Sequence, residues 1–167
     1  MKSSEDARRR VLDASLALVA REGVRSLSFR EVARLAGVSH QTPYHHFGSA
    51  HGILRALAAE GFSGLTAAMS RAATEAGQDP LDQLTAAGVA YVGYANAHPG
   101  HFRVMFQGPG DEPLPEARGT CATLERLTRA AHAGGYGAVV PVGVLVGVCW
   151  SVVHGVASLQ AEGHRPA

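Results

Sequence analysis

The chain has 167 residues, of which 46% are hydrophobic and 17% are charged, and its formal net charge is +1 at pH 7. This composition is typical of a folded soluble protein and excludes an intrinsically disordered chain. Its two cysteines, Cys121 and Cys149, lie outside any C-x-x-C or Cys/His pattern, so neither a disulfide scaffold nor a zinc module is indicated.

The charge is unevenly distributed along the chain. Residues 1–50 hold eight Lys or Arg and five Asp or Glu, a net of +3, whereas residues 51–167 hold seven and nine, a net of −2. A positive segment of this size is a modest electrostatic indication of nucleic-acid binding. The start, MKSSEDARRR, has no apolar segment of the kind found in secretory signals, so we expect a cytoplasmic location.

The first predicted element is a long helix. Ser4 is a candidate N-cap, and Gly23 is expected to end the helix. Between them apolar and small residues recur at helical spacing. This stripe, which should pack against the next two helices, consists of Val11, Leu12, Ser15, Leu16 and Val19.

Residues 27–47 predict two short helices separated by a tight turn. Ser28 and Glu31 form the S-x-x-E pattern of a capping box, and Gly37 is expected to end this helix. Ser39 is a second candidate N-cap, so the next helix is predicted over residues 40–47. Two short helices joined by a glycine-containing turn indicate a helix-turn-helix. The first of them is expected to bury Val32, Leu35 and Ala36.

The second of these helices begins with hydrogen-bonding side chains, His40, Gln41 and Thr42. The N-terminal residues of a recognition helix contact base edges in the major groove, so this first turn is a candidate for reading DNA. Tyr44 is expected to anchor the helix from behind, and Pro43, which lacks an N–H, to make its first turn irregular. On spacing alone, a polar helix in any α-helical domain remains an alternative.

The rest of the chain predicts further helices. One runs from Ile53 to about Ala73, and Asp79 with Pro80 supplies the start of another that extends to Asn96. His98 and Pro99 repeat that start signal for a short helix, after which residues 107–115 form a loop rich in Pro and Gly. Two long helices are then predicted at roughly 115–133 and 141–162. The sequence therefore predicts an all-α fold.

Residues 139–153 are strongly apolar, and there is no charged residue between Arg129 and Glu162, so a membrane span has to be considered. Pro141 and several glycines interrupt the segment, and the single tryptophan lies in its middle instead of at an end. We therefore interpret it as a soluble helix with a ridge of small residues that lets a partner helix approach closely. This glycine ridge is Gly143, Gly147, Ser151 and Gly155.

The segments VLDASLALVAREG, LSFREVARLAGVS and YHHF within residues 9–57 resemble the DNA-binding domain of TetR-family bacterial transcriptional regulators. HPGHFRVMF at 98–106 and WSVVHG at 150–155 resemble the subgroup whose regulatory domain is named for its Trp, His and Gly. This resemblance implies a three-helix DNA-binding head at 1–50 and a helical ligand-binding and dimerisation body at 51–167. It also implies a ligand-responsive, DNA-binding regulator without catalytic residues, resident metal or cofactor.

The resemblance assigns three sets of site residues. Base or phosphate contact with double-stranded operator DNA falls on Ser28, Arg30, Ser39, His40, Gln41, Thr42, Tyr44, His45 and His46. A cavity for a small, mostly hydrophobic effector is expected among Phe62, Leu65, Met69, Tyr91, Tyr94, Phe102, Met105, Phe106, Trp150 and His154. A homodimer through the last two helices would use Leu124, Leu127 and the glycine ridge.

The resulting interpretation is a homodimeric repressor of a palindromic operator, released by its effector. An activator, or a regulator that answers to a protein partner, is the alternative with the same fold. The nine histidines also suggest a metal hydrolase, but no H-E-x-x-H or comparable ligand pattern is present, so we do not expect an enzyme.

Overall fold

The computed structural model describes residues 2–108, 110, 113–161 and 163–164, and in these segments the protein is helical, without strands. This confirms the all-α prediction. A short 3-10 helix, Val24–Ser26, follows the first α-helix. The eight α-helices are α1 Lys2–Glu22, α2 Phe29–Ala36, α3 Gln41–Phe47, α4 Ala50–Glu75, α5 Pro80–Ala97, α6 Pro99–Gln107, α7 Pro115–Ala133 and α8 Val142–Ala161.

The chain forms two compact units. Unit 1 consists of Met1–Gly61 and Pro99–Leu114, and unit 2 of Phe62–His98 and Pro115–Ala167. The short helix α6 therefore packs with the N-terminal helices, although more than thirty residues separate it in sequence from the part of α4 that belongs to unit 1. The division into a head at 1–50 and a body at 51–167 remains a prediction.

Unit 1 is built around the predicted stripe of α1. Val11, Leu12, Ser15 and Val19 are fully buried, and the hydroxyl of Ser15 donates to the carbonyl of Val11 at 2.7 Å, so this polar group is satisfied inside the core. The guanidinium of Arg103, on α6, donates to the carbonyl oxygens of Val19 and Ala20 at 3.3 Å each. These bonds join α6 to the C-terminal end of α1, where the carbonyl of Val19 also accepts the N–H of Gly23 at 2.9 Å.

Two of the three local signals predicted for α2 act as expected, those of Ser28 and Gly37. The hydroxyl of Ser28 accepts the backbone N–H of Glu31 at 3.3 Å, and Gly37 ends the helix with φ 63°. The carboxylate of Glu31 does not complete the capping box, because it pairs with Arg34 at 2.6 Å. A left-handed backbone conformation strains a residue that carries a Cβ, but it does not strain glycine. The tight turn to α3 therefore depends on Gly37.

Three expectations in unit 1 were wrong in detail. Leu35 is 39% exposed, and Phe29 and Ala33 are buried with Val32 and Ala36, because the side of α2 that packs inward is rotated from the expected one. α1 is already helical at Lys2, so Ser4 lies inside the helix instead of capping it. α3 begins at Gln41 instead of His40, a shift within the usual uncertainty of helix ends.

Unit 2 contains the rest of α4 together with α5, α7 and α8. Asp79 caps α5 as predicted, since its carboxylate accepts the N–H groups of Leu81 and Asp82 at 2.8 and 3.1 Å. The hydroxyls of Thr66 and Thr120 lie 2.7 Å apart and join α4 to α7. Buried residues of α4 in this unit are Phe62, Leu65, Met69 and Ala73.

The two last helices differ sharply in burial. α7 spans the predicted residues and buries Thr120, Leu124, Leu127, Thr128 and Ala131. In α8, which starts one residue later than predicted, Ala157 is the one described residue that is buried. Glu162, at the predicted end, lies outside the described residues. α8 is long and apolar enough to cross a membrane, and one such helix is weak evidence for a membrane protein.

Candidate functional site

The structure brings most of the predicted DNA-binding residues together on one side of α3. Gln41 and His45 are exposed, and Thr42 and His46 are half-buried. They line a shallow depression of about 820 Å³ together with residues of α1 and of the preceding turn. Its full lining is Ser4, Ala7, Ser39, Gln41, Thr42, Tyr44, His45 and His46. The other predicted residues, Ser28, Arg30 and His40, are exposed but lie outside this lining.

The opposite side of α3 is held by apolar contacts. Pro43 is buried, and its missing N–H costs no intrahelical bond because it lies in the first turn, where the helix leaves its N–H groups without partners. The carbonyl of Ser39 instead accepts the N–H of Thr42 at 3.0 Å. The ring of Tyr44 packs edge-on against Phe29 with centroids 4.1 Å apart, although Tyr44 is 59% exposed. Its hydroxyl is therefore free to point to solvent while its ring anchors the helix.

Acidic side chains neutralise part of the positive charge of unit 1 by forming ion pairs with its arginines. Arg9 donates to Asp13 at 2.9 Å and to Glu60 at 3.1 Å, and the hydrogen bond with Asp13 contributes most to raising the pKa of Arg9. Arg34 is paired with Glu31, and this hydrogen bond lowers the pKa of the Glu31 carboxyl. Arg8 lies over the ring of Phe47 at 5.4 Å. Exposed Arg30 is thus better placed for a phosphate than Arg9 or Arg34.

The predicted effector-binding residues are divided between the two units. Phe102 and Met105 are buried in unit 1 with Phe106 half-buried beside them, and an added Cβ on Gly61 would overlap the side chain of Met105. The remaining seven belong to unit 2, where four are buried and Tyr94, Trp150 and His154 are half-buried. These seven are Phe62, Leu65, Met69, Tyr91, Tyr94, Trp150 and His154.

In unit 2, Tyr91, Trp150 and His154 form one packed cluster between α5 and α8. The hydroxyl of Tyr91 lies 3.0 Å from Nδ1 of His154, and the rings of Trp150 and His154 stack with an interplanar angle of 7°. Burial raises the pKa of the Tyr91 hydroxyl and lowers the pKa of His154. Near neutral pH the cluster therefore holds a protonated phenol next to a neutral imidazole, an arrangement in which the phenol can donate.

A groove between α5 and α8, here called the α5–α8 groove, was not predicted from the sequence. It encloses about 680 Å³, and the side chains of Asn96 and Gln160 are hydrogen-bonded at 2.6 Å at one end of it. Its lining is mostly apolar: Leu84, Thr85, Gly88, Val89, Val92, Gly93, Asn96, Leu124, Val148, Cys149, Val152, Val153, Val156 and Gln160.

One signal for this groove was present in the sequence. Val144, Val148, Val152 and Val156 recur every four residues beside the glycine ridge, and all four are exposed. The contribution of α5 had no local signal, because it depends on which helix packs against α8.

The residues predicted for dimerisation fall into two groups. Leu124 and Leu127 are buried within unit 2, where they pack inside one protomer. Gly143, Gly147 and Ser151 are exposed and Gly155 is half-buried. Among the described residues, nothing beyond the backbone of α8 itself lies within 4 Å of a Cβ added to Gly143, Gly147 or Gly155, so no contact there requires a small residue.

Two family profiles match the chain. One, described as bacterial regulatory proteins of the tetR family, matches residues 11–57. The other, described as a tetracyclin repressor-like C-terminal domain, matches residues 84–167. No curated protein matches the chain significantly. Within the described residues, no group of three His, Cys, Asp or Glu side chains is arranged to hold a metal ion.

Solved structures with the same fold include regulators. A protein of unknown function from Rhodococcus sp. RHA1 is 33% identical, with a TM-score of 0.79 over 95% of this chain and 84% of its own. The TetR family transcriptional regulator PfmR from Thermus thermophilus is 25% identical, with a TM-score of 0.69 over 94% and 87%. The fatty acid degradation regulator FadR from Bacillus halodurans, at 16% identity and a TM-score of 0.75 over 93% and 88%, shares the fold.

Proteins with these two domains are transcriptional regulators and not enzymes, typically ligand-responsive DNA-binding repressors of the cytoplasm. The N-terminal profile covers the helix-turn-helix, and the C-terminal profile alone covers half of the sequence. The chain therefore belongs to the TetR family of bacterial regulatory proteins.

Proposed function

We propose that this protein is a homodimeric repressor of a palindromic operator and that a small, mostly hydrophobic effector releases it from DNA. The observation that carries the proposal is the two-sided character of α3. Its outer side presents Gln41, Thr42 and His45, while Pro43 and the ring of Tyr44 hold its inner side against the unit.

Base reading is assigned to His40, Gln41 and Thr42. A side-chain amide that donates one hydrogen bond to a base edge and accepts another can distinguish one base pair from the others. The side chain of Gln41 is exposed, as such a contact requires. Phosphate contact is assigned to Ser28, Arg30 and the neighbouring set, namely Ser39, Tyr44, His45 and His46. Phosphate contacts fix the position of a protein on DNA without reading its sequence.

The homodimer follows from the needs of operator recognition. One α3 reads few base pairs, whereas a two-fold pair presents two recognition helices to half-sites about 34 Å apart, or a multiple of that distance. The exposed apolar side of α8 and its glycine ridge support a partner chain. A palindromic operator follows from this two-fold symmetry.

The effector is proposed to bind among those side chains predicted for it that belong to unit 2. In unit 2, the half-buried rings of Trp150 and His154 offer an apolar surface with one imidazole, and the buried hydroxyl of Tyr91 lies 3.0 Å from that imidazole. This suits a mostly hydrophobic molecule with few polar groups. The effector would lower operator affinity by the difference between its affinities for the DNA-free and DNA-bound states. Assignment to the Trp-His-Gly subgroup is part of this proposal, because it rests on Trp150, His154 and Gly155.

The test is a fluorescence-anisotropy titration against DNA from upstream of the protein's own gene, with scrambled DNA as the reference and two salt concentrations. The proposal expects a preference for the specific DNA that persists at higher salt. Gln41→Ala should reduce the preference by about 1–3 kcal/mol and leave the fold intact. Gln78→Ala, at an exposed glutamine outside the helix-turn-helix, is the matched control and should not change it.

The same titration separates the alternatives. Equal, steeply salt-dependent affinity for both DNAs would contradict specific recognition, because phosphate contact alone produces it. Specific binding that hydrophobic compounds do not release would favour a regulator controlled by a protein partner. An activator would bind the operator equally well, so a reporter gene placed behind the operator distinguishes activation from repression.

A further inference from the structure

Ser39 and Thr42 are joined twice at the start of α3. The backbone N–H of Thr42 donates to the carbonyl of Ser39 at 3.0 Å, and the two side-chain hydroxyl oxygens lie 2.9 Å apart. The hydroxyl of Ser39 thus faces the side chain of Thr42, although a serine before a helix usually caps a backbone N–H. The side chain of Thr42 is therefore held in place by its neighbour in the turn.

This contact differs from the one that hydroxyl side chains make inside the other helices. There the hydroxyl donates to the carbonyl four residues earlier, at 2.7–2.9 Å, as in Ser15, Thr74, Thr123 and Ser151. The residue four before Thr42 is Val38, which belongs to the turn and not to a helix. A helical threonine divides between two rotamers because its hydroxyl can bond such a carbonyl. At Thr42 the hydroxyl of Ser39 replaces the carbonyl and selects one orientation.

The direction of the hydroxyl contact follows from the phosphate contact proposed for Ser39. A hydroxyl has one proton to donate and two lone pairs that accept. A phosphate oxygen only accepts, so Ser39 has to donate to the phosphate and accept from Thr42. The hydroxyl of Thr42 then uses its single proton on Ser39 and has none left to donate to a base edge.

The methyl group is the branch of Thr42 that remains for DNA. Staggered geometry places it about 120° from the hydroxyl oxygen around the Cα–Cβ bond, so the two branches face different neighbours. Thr42 lines the same depression as Gln41 and His45. In the major groove a threonine methyl group makes apolar contact with the C5-methyl of thymine, whereas a glutamine amide pairs with adenine.

We infer that Thr42 reads a thymine through its methyl group and that Ser39 is a positioning residue, which turns the hydroxyl of Thr42 away from the base. The inference rests on the proposed function, because it states the base chemistry that α3 selects. Gln41 and Thr42 are consecutive, about 1.5 Å apart along the helix, against 3.4 Å between base pairs. Their two contacts therefore fall on one A·T pair or on two that adjoin.

Replacing thymine by uracil in the DNA tests the contact without changing the protein. Uracil keeps the Watson–Crick pairing and removes only the C5-methyl group. The probes are duplexes that the full-length protein selects from a random-sequence library, and fluorescence anisotropy measures their affinity. At one thymine of a half-site, the change to uracil should weaken binding about 3- to 5-fold, the loss expected for one buried methyl group.

Two substitutions separate the methyl group of Thr42 from its hydroxyl. Thr42→Val keeps the methyl branch, so the preference for thymine over uracil should stay at least about 3-fold. Thr42→Ser keeps the hydroxyl and removes the methyl group, so the preference should fall below about 1.5-fold. Thr74→Ser, the same change at an exposed hydroxyl of α4, is the matched control and should not alter it. Loss of the preference in Thr42→Val with retention in Thr42→Ser would contradict reading by the methyl group.

Ser39→Ala separates the positioning role of Ser39 from its phosphate contact. Loss of the phosphate contact lowers the affinity for the thymine and uracil duplexes equally. Loss of positioning lets the hydroxyl of Thr42 turn, so the preference should fall below about 2-fold. In a Thr42→Val background the same substitution should leave the preference unchanged, because valine has no hydroxyl to hold. An equal fall in both backgrounds, or none in the wild type, would overturn the positioning role.

The same measurements separate failure of this inference from failure of the proposed function. Specific binding that no thymine-to-uracil change in a half-site weakens would overturn the inference and leave the proposed regulator standing. Selection of cytosine at the base that Thr42 contacts would also overturn it, because a cytosine amino group donates to the hydroxyl oxygen. A protein that selects no sequence from the library would overturn the proposed function together with the inference.

Discussion

α7 and α8 are consecutive helices of 19 and 20 residues in the same unit, yet they use their apolar residues differently. α7 buries a stripe that includes Leu124 and Leu127, and it exposes charged side chains. α8 is apolar on all sides and buries Ala157 alone among its described residues. The pattern of α7 indicates which side is buried, whereas α8 is apolar on all sides and the described residues leave much of it exposed.

The largest expected effect concerns the buried stripe of α7. Leu127 is 1% exposed, so Leu127→Ala should destabilise the protomer by about 2–5 kcal/mol through lost burial and a residual cavity. Val148→Ala removes apolar atoms of α8 that already face solvent and should change the protomer by no more than about 0.5 kcal/mol. Urea unfolding at several protein concentrations, extrapolated to the monomer, measures both.

An equal loss of monomer stability at the two positions would contradict this difference between α7 and α8. Such a result would mean that α8 is covered within its own chain. A loss at Val148→Ala that grows with protein concentration would instead show that a bound partner covers Val148, since only a bound partner makes stability depend on concentration.

Gly147→Ala is expected to act in opposite directions on the protomer and the dimer. The added methyl group meets nothing within 4 Å, so the monomer should gain about 0.5–1 kcal/mol from better helix propensity. The dimer should dissociate more readily, because the glycine ridge no longer allows the same close approach. Circular-dichroism unfolding and sedimentation measure the two effects separately.

Gly52→Ala is the matched control for this substitution. Gly52 also lies in a helix, but its added Cβ would overlap the carbonyl oxygen of Phe47. The monomer should therefore lose stability instead of gaining it. Equal gains in stability at Gly52 and Gly147 would show that helix propensity alone determines the effect of the substitution. The open space around Gly147 would then have no influence on stability.

A smaller effect is expected on the exposed side of α7. Glu125 accepts from Arg129 at 2.8 Å, one helical turn away, and both side chains are about half exposed. Glu125→Gln should cost about 0.3–0.5 kcal/mol in low salt and less in high salt. The measurement is urea unfolding at two salt concentrations. A loss above about 1 kcal/mol would mean that this side of α7 is less exposed in solution than in the structure.

Local signals in the sequence were sufficient for most helix boundaries. Asp79 with Pro80 and Ser28 with Gly37 act through bonds or backbone angles within a few residues, so their roles were readable without the fold. The exposure of Leu35 could not be read from the sequence, because α2 has apolar residues on more than one side. The packing against α1 determines which of these residues are buried. Within the turn, Ser39 does not act as the predicted N-cap: its hydroxyl lies 2.9 Å from the Thr42 hydroxyl instead of accepting a backbone N–H.

The candidate sites show the same limit. The exposed first turn of α3 follows from local sequence, and the structure places Gln41 and Thr42 in one depression. Phe102 and Met105 were grouped with Tyr91 by their chemistry, but they pack in different units, which depends on contacts distant in sequence. The α5–α8 groove was missed for the same reason: Val89 has no significance until α5 is known to lie beside α8.

The smallest predicted effect is a pH dependence of stability that comes from His154, on the side of α8 that packs against Tyr91 of α5. Burial lowers the pKa of His154 below its ordinary value of 6.5, so the folded state binds fewer protons than the unfolded state near that pH. The stability from neutral His154 is therefore fully present above about pH 6.5, falls as the pH drops below it, and stops falling below the folded pKa. Relative to His154→Gln, the wild type should lose unfolding free energy between pH 7 and pH 5, measured by urea unfolding. An NMR titration of the imidazole decides the sign, because a folded-state pKa above 6.5 would reverse it.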